Sequence, residues 1–142
     1  MLAHQITLAL VRSRQSRAGG RSTIGNGRLT AQLLAALPFA LTDAQDQALA
    51  EIHADIRSDR AMLRLLQGDV GSGKTVVGLL AAAEVAEAGR QSVLMAPTEI
   101  LARQHYETIA PLAEAAGLST AILTGREKGR AREAILKDLA EG

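Results

Sequence analysis

The segment Gly68-Asp69-Val70-Gly71-Ser72-Gly73-Lys74-Thr75 fits the spacing Gly-x-x-x-x-Gly-Lys-Ser/Thr, which has a specific chemical use. Its glycines let the backbone curl so that successive N–H groups point inward, at the oxygens of a phosphate chain. A helix beginning near Lys74 adds the positive end of its dipole. Lys74 then reaches the β- and γ-phosphates as a point charge, and the Thr75 hydroxyl is placed to hold Mg²⁺. The plainer alternative is a Gly-rich turn with a surface lysine. The flanks weigh against it: an apolar run precedes the glycines and a helical pattern follows, which is the context such a loop requires. The expectation is a nucleoside-triphosphate phosphate site with Mg²⁺, in which Lys74 and Thr75 act on the phosphates.

Other residues are less specific alone. Phe39 and Gln45, upstream of the loop, suit an adenine pocket in which the ring stacks on the base and the amide reads its Hoogsteen edge. Equally, Phe39 suits a core position, and Gln45 the capping-box partner of Thr42. Thr98 suits the cap of the helix after Pro97, with Arg103 on that helix's solvated face. The cluster Arg126, Lys128, Arg130 and Arg132 reads either as a solvated face or as a contact for a phosphate backbone. His4, His53 and His105 have no spacing suited to a shared metal. The chain has no cysteine. That excludes disulfides and thiolate metal sites, and it suits a reducing cytoplasm.

The elements that must position these groups follow from periodicity and stop signals. Short helices are expected over residues 2–11 and 29–37, the second halted by Pro38, with an Arg/Ser/Gly-rich loop over 13–26 between them. Thr42-x-x-Gln45 opens a third helix carrying Ala48, Leu49, Ile52 and Ile56. Short apolar runs at 62–66, 92–96 and 119–123 read as strands. Helices over 76–88, 99–116 and 130–140 alternate with them, with Gly89 and Gly117 as stops and Pro111 kinking or dividing the second of the three. Strands alternating with helices argue for an α/β domain with a parallel sheet and flanking helices.

With 47% apolar and 22% charged residues, the 142-residue chain has the composition of one globular domain or part of one. No apolar run is long enough to cross a bilayer. The net charge of +1 conceals a division: up to Leu41 there are five arginines and no acids, and all fifteen acids follow. Such a basic head reads as a solvated linker, a phosphate-backbone contact or an organellar transit peptide.

At this point a family resemblance becomes visible. Leu37-Pro38-Phe39-x-Leu41-Thr42-x-Ala44-Gln45 resembles the adenine-recognition motif of superfamily 2 helicases. The stretch from Leu65 to Val77 resembles their phosphate-binding motif as RecG-type helicases carry it. Ala96-Pro97-Thr98-Glu99-Ile100-Leu101-Ala102-x-Gln104-His105 is similar to the DNA-contacting motif that follows, and Leu123-Thr124-Gly125, Lys128-Gly129 and Arg132 to the next. The order and spacing agree over nearly the whole chain. Val76 after Lys74-Thr75, and Glu99 after Pro97-Thr98, favour RecG over the related transcription-repair coupling translocase.

The resemblance implies the N-terminal part of a RecA-like ATP-binding domain over 42–142, incomplete before its Asp-Glu strand and preceded at 1–41 by a helical, basic linker between a wedge domain and the motor. It implies ATP contacts at Phe39, Gln45, Gly68, Asp69, Val70, Gly71, Ser72, Gly73, Lys74 and Thr75, with Mg²⁺ on Thr75. It also implies DNA contacts at Pro97, Thr98, Glu99, Arg103, Gln104, His105, Thr124, Gly125, Lys128 and Arg132. The expected partner is forked or branched duplex DNA, the expected setting a bacterial cytoplasm, and the expected oligomeric state a monomer. The wedge, the strand ending in an Asp-Glu pair and the second motor domain are not found in the sequence. The chain is therefore expected to be a piece of such a motor that binds ATP without efficient hydrolysis and does not unwind DNA.

Overall fold

The computed structural model describes residues 19–141, so the helix expected over residues 2–11 lies outside the described residues. Five α-helices follow one another: α1 (Arg28–Ala36), α2 (Asp43–Ile56), α3 (Lys74–Glu87), α4 (Glu99–Ala115) and α5 (Gly129–Glu141).

Helix α3 is the centre of the packing. It lies against α1, α2 and α4, and α1 also touches α4. Its buried residues Val76, Val77, Leu79, Leu80, Ala83 and Glu84 lie on one broad face, an arc of roughly 160° at 3.6 residues per turn. Leu80 and Ala83 are fully buried. They form one apolar cluster with Leu33 of α1, Leu49 of α2 and Ala116 at the end of α4. The cluster is aliphatic because the chain has almost no aromatic residues.

The helix ends obey local chemistry. At the start of α2, the Thr42 hydroxyl accepts from Gln45 N at 3.3 Å and Gln45 Oε1 accepts from Thr42 N at 2.9 Å, a complete capping box. Asp43 and Asp46 add favourable charge in its first turn. Helices α3 and α4 stop at Gly89 and Gly117, whose φ values of 69° and 76° belong to the left-handed region. Arg90 N then reaches Val85 O at 3.1 Å, and Leu118 N reaches Ala113 O at 2.8 Å. These six-to-one bonds are the Schellman closure that follows such a glycine.

Two sequence expectations need correction. Pro111 does not divide its helix: α4 runs unbroken from Glu99 to Ala115. The missing proline N–H deprives the carbonyl of Glu107, and both Pro111 and Glu107 lie on the exposed side, where water can satisfy that carbonyl. The second correction concerns the parallel sheet expected from residues 62–66, 92–96 and 119–123. Among the described residues these segments carry no strand assignment, and the one bridge is an isolated antiparallel pair between Gly19 and Arg60. Apolar runs reveal a preference for burial, but a ladder needs a neighbour about 4.8 Å away offering N–H and C=O groups in register. Among the described residues no such neighbour is present, and Leu65 and Val93 are 79% and 80% exposed.

The segment ahead of α1 is held by the far end of α3. Glu84, only 1% exposed, accepts from Gly25 N at 3.1 Å and pairs with Arg57 at 2.8 Å. Glu87 accepts from Gly27 N at 2.6 Å, from Thr30 N at 3.1 Å and from Leu29 N. Arg90 donates to Arg21 O at 3.2 Å and to the Thr23 hydroxyl. One helix thus carries the phosphate loop at its N-terminus and the anchor of residues 20–30 at its C-terminus.

Candidate functional site

The phosphate loop ends on Gly73, the N-cap of α3, with φ 79° and no side-chain cap. Within the loop Ser72 N bonds to Asp69 O at 3.2 Å, and Val76 N and Val77 N both reach Gly73 O. Among the described residues, the N–H groups of Gly71, Gly73, Lys74 and Thr75 have no protein acceptor. Orphan donors at a helix start, with the dipole behind them, are what an anionic oxygen needs. Lys74 Nζ meanwhile donates to Gly68 O at 2.8 Å, Asp69 O at 2.6 Å and Ser72 Oγ at 3.3 Å. Its charge is folded back over the loop, beside the donors it is expected to assist.

Gln45 joins α2 to this loop. Its Oε1 closes the capping box, and its Nε2 donates to Ser72 O at 2.9 Å. A Cβ at Gly73 would stand 2.3 Å from that Nε2, so glycine is required for the contact as well as for the turn. Both ends of the Gln45 amide are therefore engaged, and reading an adenine edge requires it to exchange a partner. Phe39 is not a core residue: it is half exposed.

Thr75 Oγ1 lies 3.5 Å from Nδ1 of His105, one helix away on α4. The structure thus brings His105 to the phosphate loop, whereas the sequence grouped it with DNA contacts. Among the described residues no group of three or more His, Cys, Asp or Glu could hold a metal ion.

The second group of expected contacts divides between inward and outward residues. Thr98 caps α4 by accepting from Leu101 N at 3.3 Å. Arg103 is committed internally: it donates to Glu99 at 3.2 Å, to the Thr124 hydroxyl at 3.2 Å and to Glu127 at 3.0 Å. Glu99 also pairs with Arg126. Pro97, Gln104, Gly125, Lys128 and Arg132 are exposed. Lys128 and Arg132 make no ion pair among the described residues. Sequence reasoning missed Glu127. Hydrogen bonds from the Thr124 hydroxyl and amide, then the Arg103 guanidinium, hold its carboxyl down to about 2. The available signal was Thr124-x-x-Glu127, the same spacing that makes Thr42-x-x-Gln45 a box.

A glycine-curled loop at a helix start is thus tied to an upstream glutamine and followed by a Thr-capped helix, an arrangement that suits a nucleotide-binding unit. Consistent with this, the DEAD/DEAH box helicase family matches residues 42–141, and the chain belongs to that family. Its relatives are ATP-dependent DNA helicases named RecG. The chain is 42% identical over its full length to RecG of Escherichia coli K12, of which it covers 20%. It is 45% identical to RecG of Bacillus subtilis over 91% of its own length and 19% of the relative's. A solved structure of RecG bound to a three-way DNA junction matches 93% of the chain and 18% of that protein, with TM-score 0.79 and 40% identity. The described residues thus have the fold of part of a RecG helicase motor, and the chain spans about a fifth of the length of its curated relatives.

Proposed function

We propose that this chain is the ATP-binding part of a RecG-like motor that remodels branched DNA in replication-fork rescue, recombination and repair. The observation that carries the reading is the phosphate loop: orphan N–H groups at the start of α3, with Lys74 and Thr75 beside them. In this reading Lys74 exchanges the Gly68 and Asp69 carbonyls for phosphate oxygens. The Thr75 hydroxyl holds Mg²⁺, which neutralises phosphate charge when bound with ATP. Gln45 and Phe39 complete the site on the adenine side. The segments 62–66, 92–96 and 119–123 are parallel strands of a RecA-like domain whose N-terminal part is 42–142, and residues 1–41 form the linker ahead of it.

Pro97, Thr98, Gln104, Gly125, Lys128 and Arg132 make the face for the DNA backbone, read through main-chain N–H groups, hydroxyls and positive charge. The setting is a bacterial cytoplasm and the motor a monomer; no described helix is long and apolar enough to cross a membrane. No Asp-Glu pair follows the phosphate loop within the 142 residues. These residues therefore hold ATP without orienting a water for efficient hydrolysis. Titration with a fluorescent ATP analogue and Mg²⁺ tests the reading. Binding should weaken at least ~10-fold in Lys74→Ala, which removes a charge-assisted phosphate contact. Equal affinity in the variant overturns the assignment. DNA-stimulated turnover by the chain, abolished in Lys74→Ala, overturns its inertness in hydrolysis.

A further inference from the structure

Within the basic stretch Arg126-Glu127-Lys128-Gly129-Arg130-Ala131-Arg132, Glu127 is the sole acid. On a surface that faces DNA phosphates, a lone carboxylate is an electrostatic liability. Its contacts give it a different use. Glu127 Oε2 accepts from Thr124 N and from Thr124 Oγ1, both at 2.6 Å, while Oε1 accepts from Arg103 Nη2 at 3.0 Å. The Thr124 hydroxyl is thereby saturated: it donates to Glu127 and accepts from Arg103 Nη2 and Arg126 N, each at 3.2 Å. A hydroxyl has one proton and two lone pairs, so none remains for a ligand. Glu99, one turn before Arg103 on α4, closes the ring by pairing with both Arg103 and Arg126. The Glu127 side chain is only 17% exposed. The carboxyl held down to about 2 stays ionised throughout the physiological range.

We propose that Glu127 is a positioning residue that locks the turn at residues 124–127 onto the first turns of α4, and that Arg103 is its internal counter-ion and makes no DNA phosphate contact. The lock fixes where the exposed Lys128 and Arg132 stand relative to the Thr98 end of α4. This rests on the reading of that face as the one for nucleic acid.

The two possible roles of Glu127 predict opposite signs. If it is only a nearby negative charge, Glu127→Gln should tighten DNA binding by removing repulsion. If it is the lock, the same change should weaken binding, by about tenfold for the loss of a charged hydrogen-bonded hub. Salt dependence separates Arg103 from a true phosphate contact. Loss of one such contact lowers the slope of log K against log salt by about 0.7 to 0.9. Lys128→Ala should show that drop, and Arg103→Gln should not.

The experiment is fluorescence anisotropy of the 142-residue chain and its three variants with a labelled oligothymidylate strand and a labelled fork, across a salt series. Amide exchange at Thr124 and Leu80 runs alongside. Weaker binding in Glu127→Gln, with Thr124 protection lost and Leu80 protection kept, supports the lock. Tighter or unchanged binding, or unchanged Thr124 protection, overturns it. A slope reduced in Arg103→Gln as in Lys128→Ala overturns the counter-ion assignment. If the unaltered chain shows no salt-dependent binding to either DNA, the nucleic-acid reading of this face fails, and the proposal falls with it.

Discussion

Gln45 occupies a position where two roles for one side chain can be separated. Its amide closes the α2 capping box through Oε1 and holds the phosphate loop through Nε2. Removing it in Gln45→Ala should cost about 1 kcal/mol of stability, the usual effect of losing a cap contact. It should also loosen the loop and weaken nucleotide binding. If the amide reads the base as well, ATP affinity falls further than GTP affinity, because only adenine offers the matching donor and acceptor. If it acts through Ser72 alone, both fall together. Competition titrations with the two nucleotides decide between these outcomes.

Glu84 makes a second residue-scale prediction. The Arg57 hydrogen bond, opposed by burial and aided by the Gly25 amide, holds its carboxyl below the usual carboxylate range. A carboxyl depressed on folding contributes stability that is present above its unfolded pKa and is lost as pH falls through its folded one. The urea midpoint should therefore fall as pH drops below roughly 4, and Glu84→Gln should flatten that dependence. An equally steep acid limb in the variant rules Glu84 out as a source.

At the scale of elements, α3 works as a strut. Burial along its middle fixes it in the core, so its two ends keep a constant separation. Leu80→Ala, at a fully buried site on this helix, should cost ~3 kcal/mol by urea unfolding, because the neighbouring helices cannot collapse into the space. A loss below about 1 kcal/mol would mean that the core rearranges freely around α3. At the other end, the α1 N-cap is Gly27, which has no side chain to cap with; Asn26 Oδ1 accepts from Arg28 N at 3.0 Å, and Glu87 takes the Gly27, Leu29 and Thr30 amides from across the fold.

That borrowed cap illustrates what sequence could and could not reveal. The helix ends with local signals were legible: Thr42 with Gln45, Gly89 and Gly117 each combine residue types within a few positions. The phosphate loop was legible for the same reason. The contact between Glu87 and Gly27, sixty residues apart, has no local signature. Neither does the approach of His105 to Thr75. Arg103 has no local signature for its partners either: only the folded positions of Glu99, Thr124 and Glu127 show that its Nε and Nη2 donate within the protein. The apolar runs at 62–66, 92–96 and 119–123 were legible as segments that want burial, but such runs do not name the partner that provides it.

That unmet demand sets the behaviour of the whole molecule. Leu63, Leu65, Val93, Leu94 and Met95 are all at least 60% exposed, in two segments outside the helices. Consecutive apolar residues place side chains on both sides of an extended backbone, the pattern of strands covered on both faces. Extended segments with unpaired N–H and C=O groups and apolar side chains are also templates for pairing with another chain. The 142-residue chain should therefore associate with itself as concentration rises, and it should bind a hydrophobic dye while its helices remain folded. Sedimentation velocity across a concentration series tests the first point and dye titration the second. Leu65→Lys combined with Val93→Lys should suppress both signals and leave thermal stability nearly unchanged, because neither side chain contributes to the core around Leu80. A sharp monomeric boundary at all concentrations, with no dye binding, would show that these segments are satisfied by pairing among themselves. Loss of stability in the double variant would lead to the same conclusion, since exposed side chains can be replaced without cost and paired ones cannot.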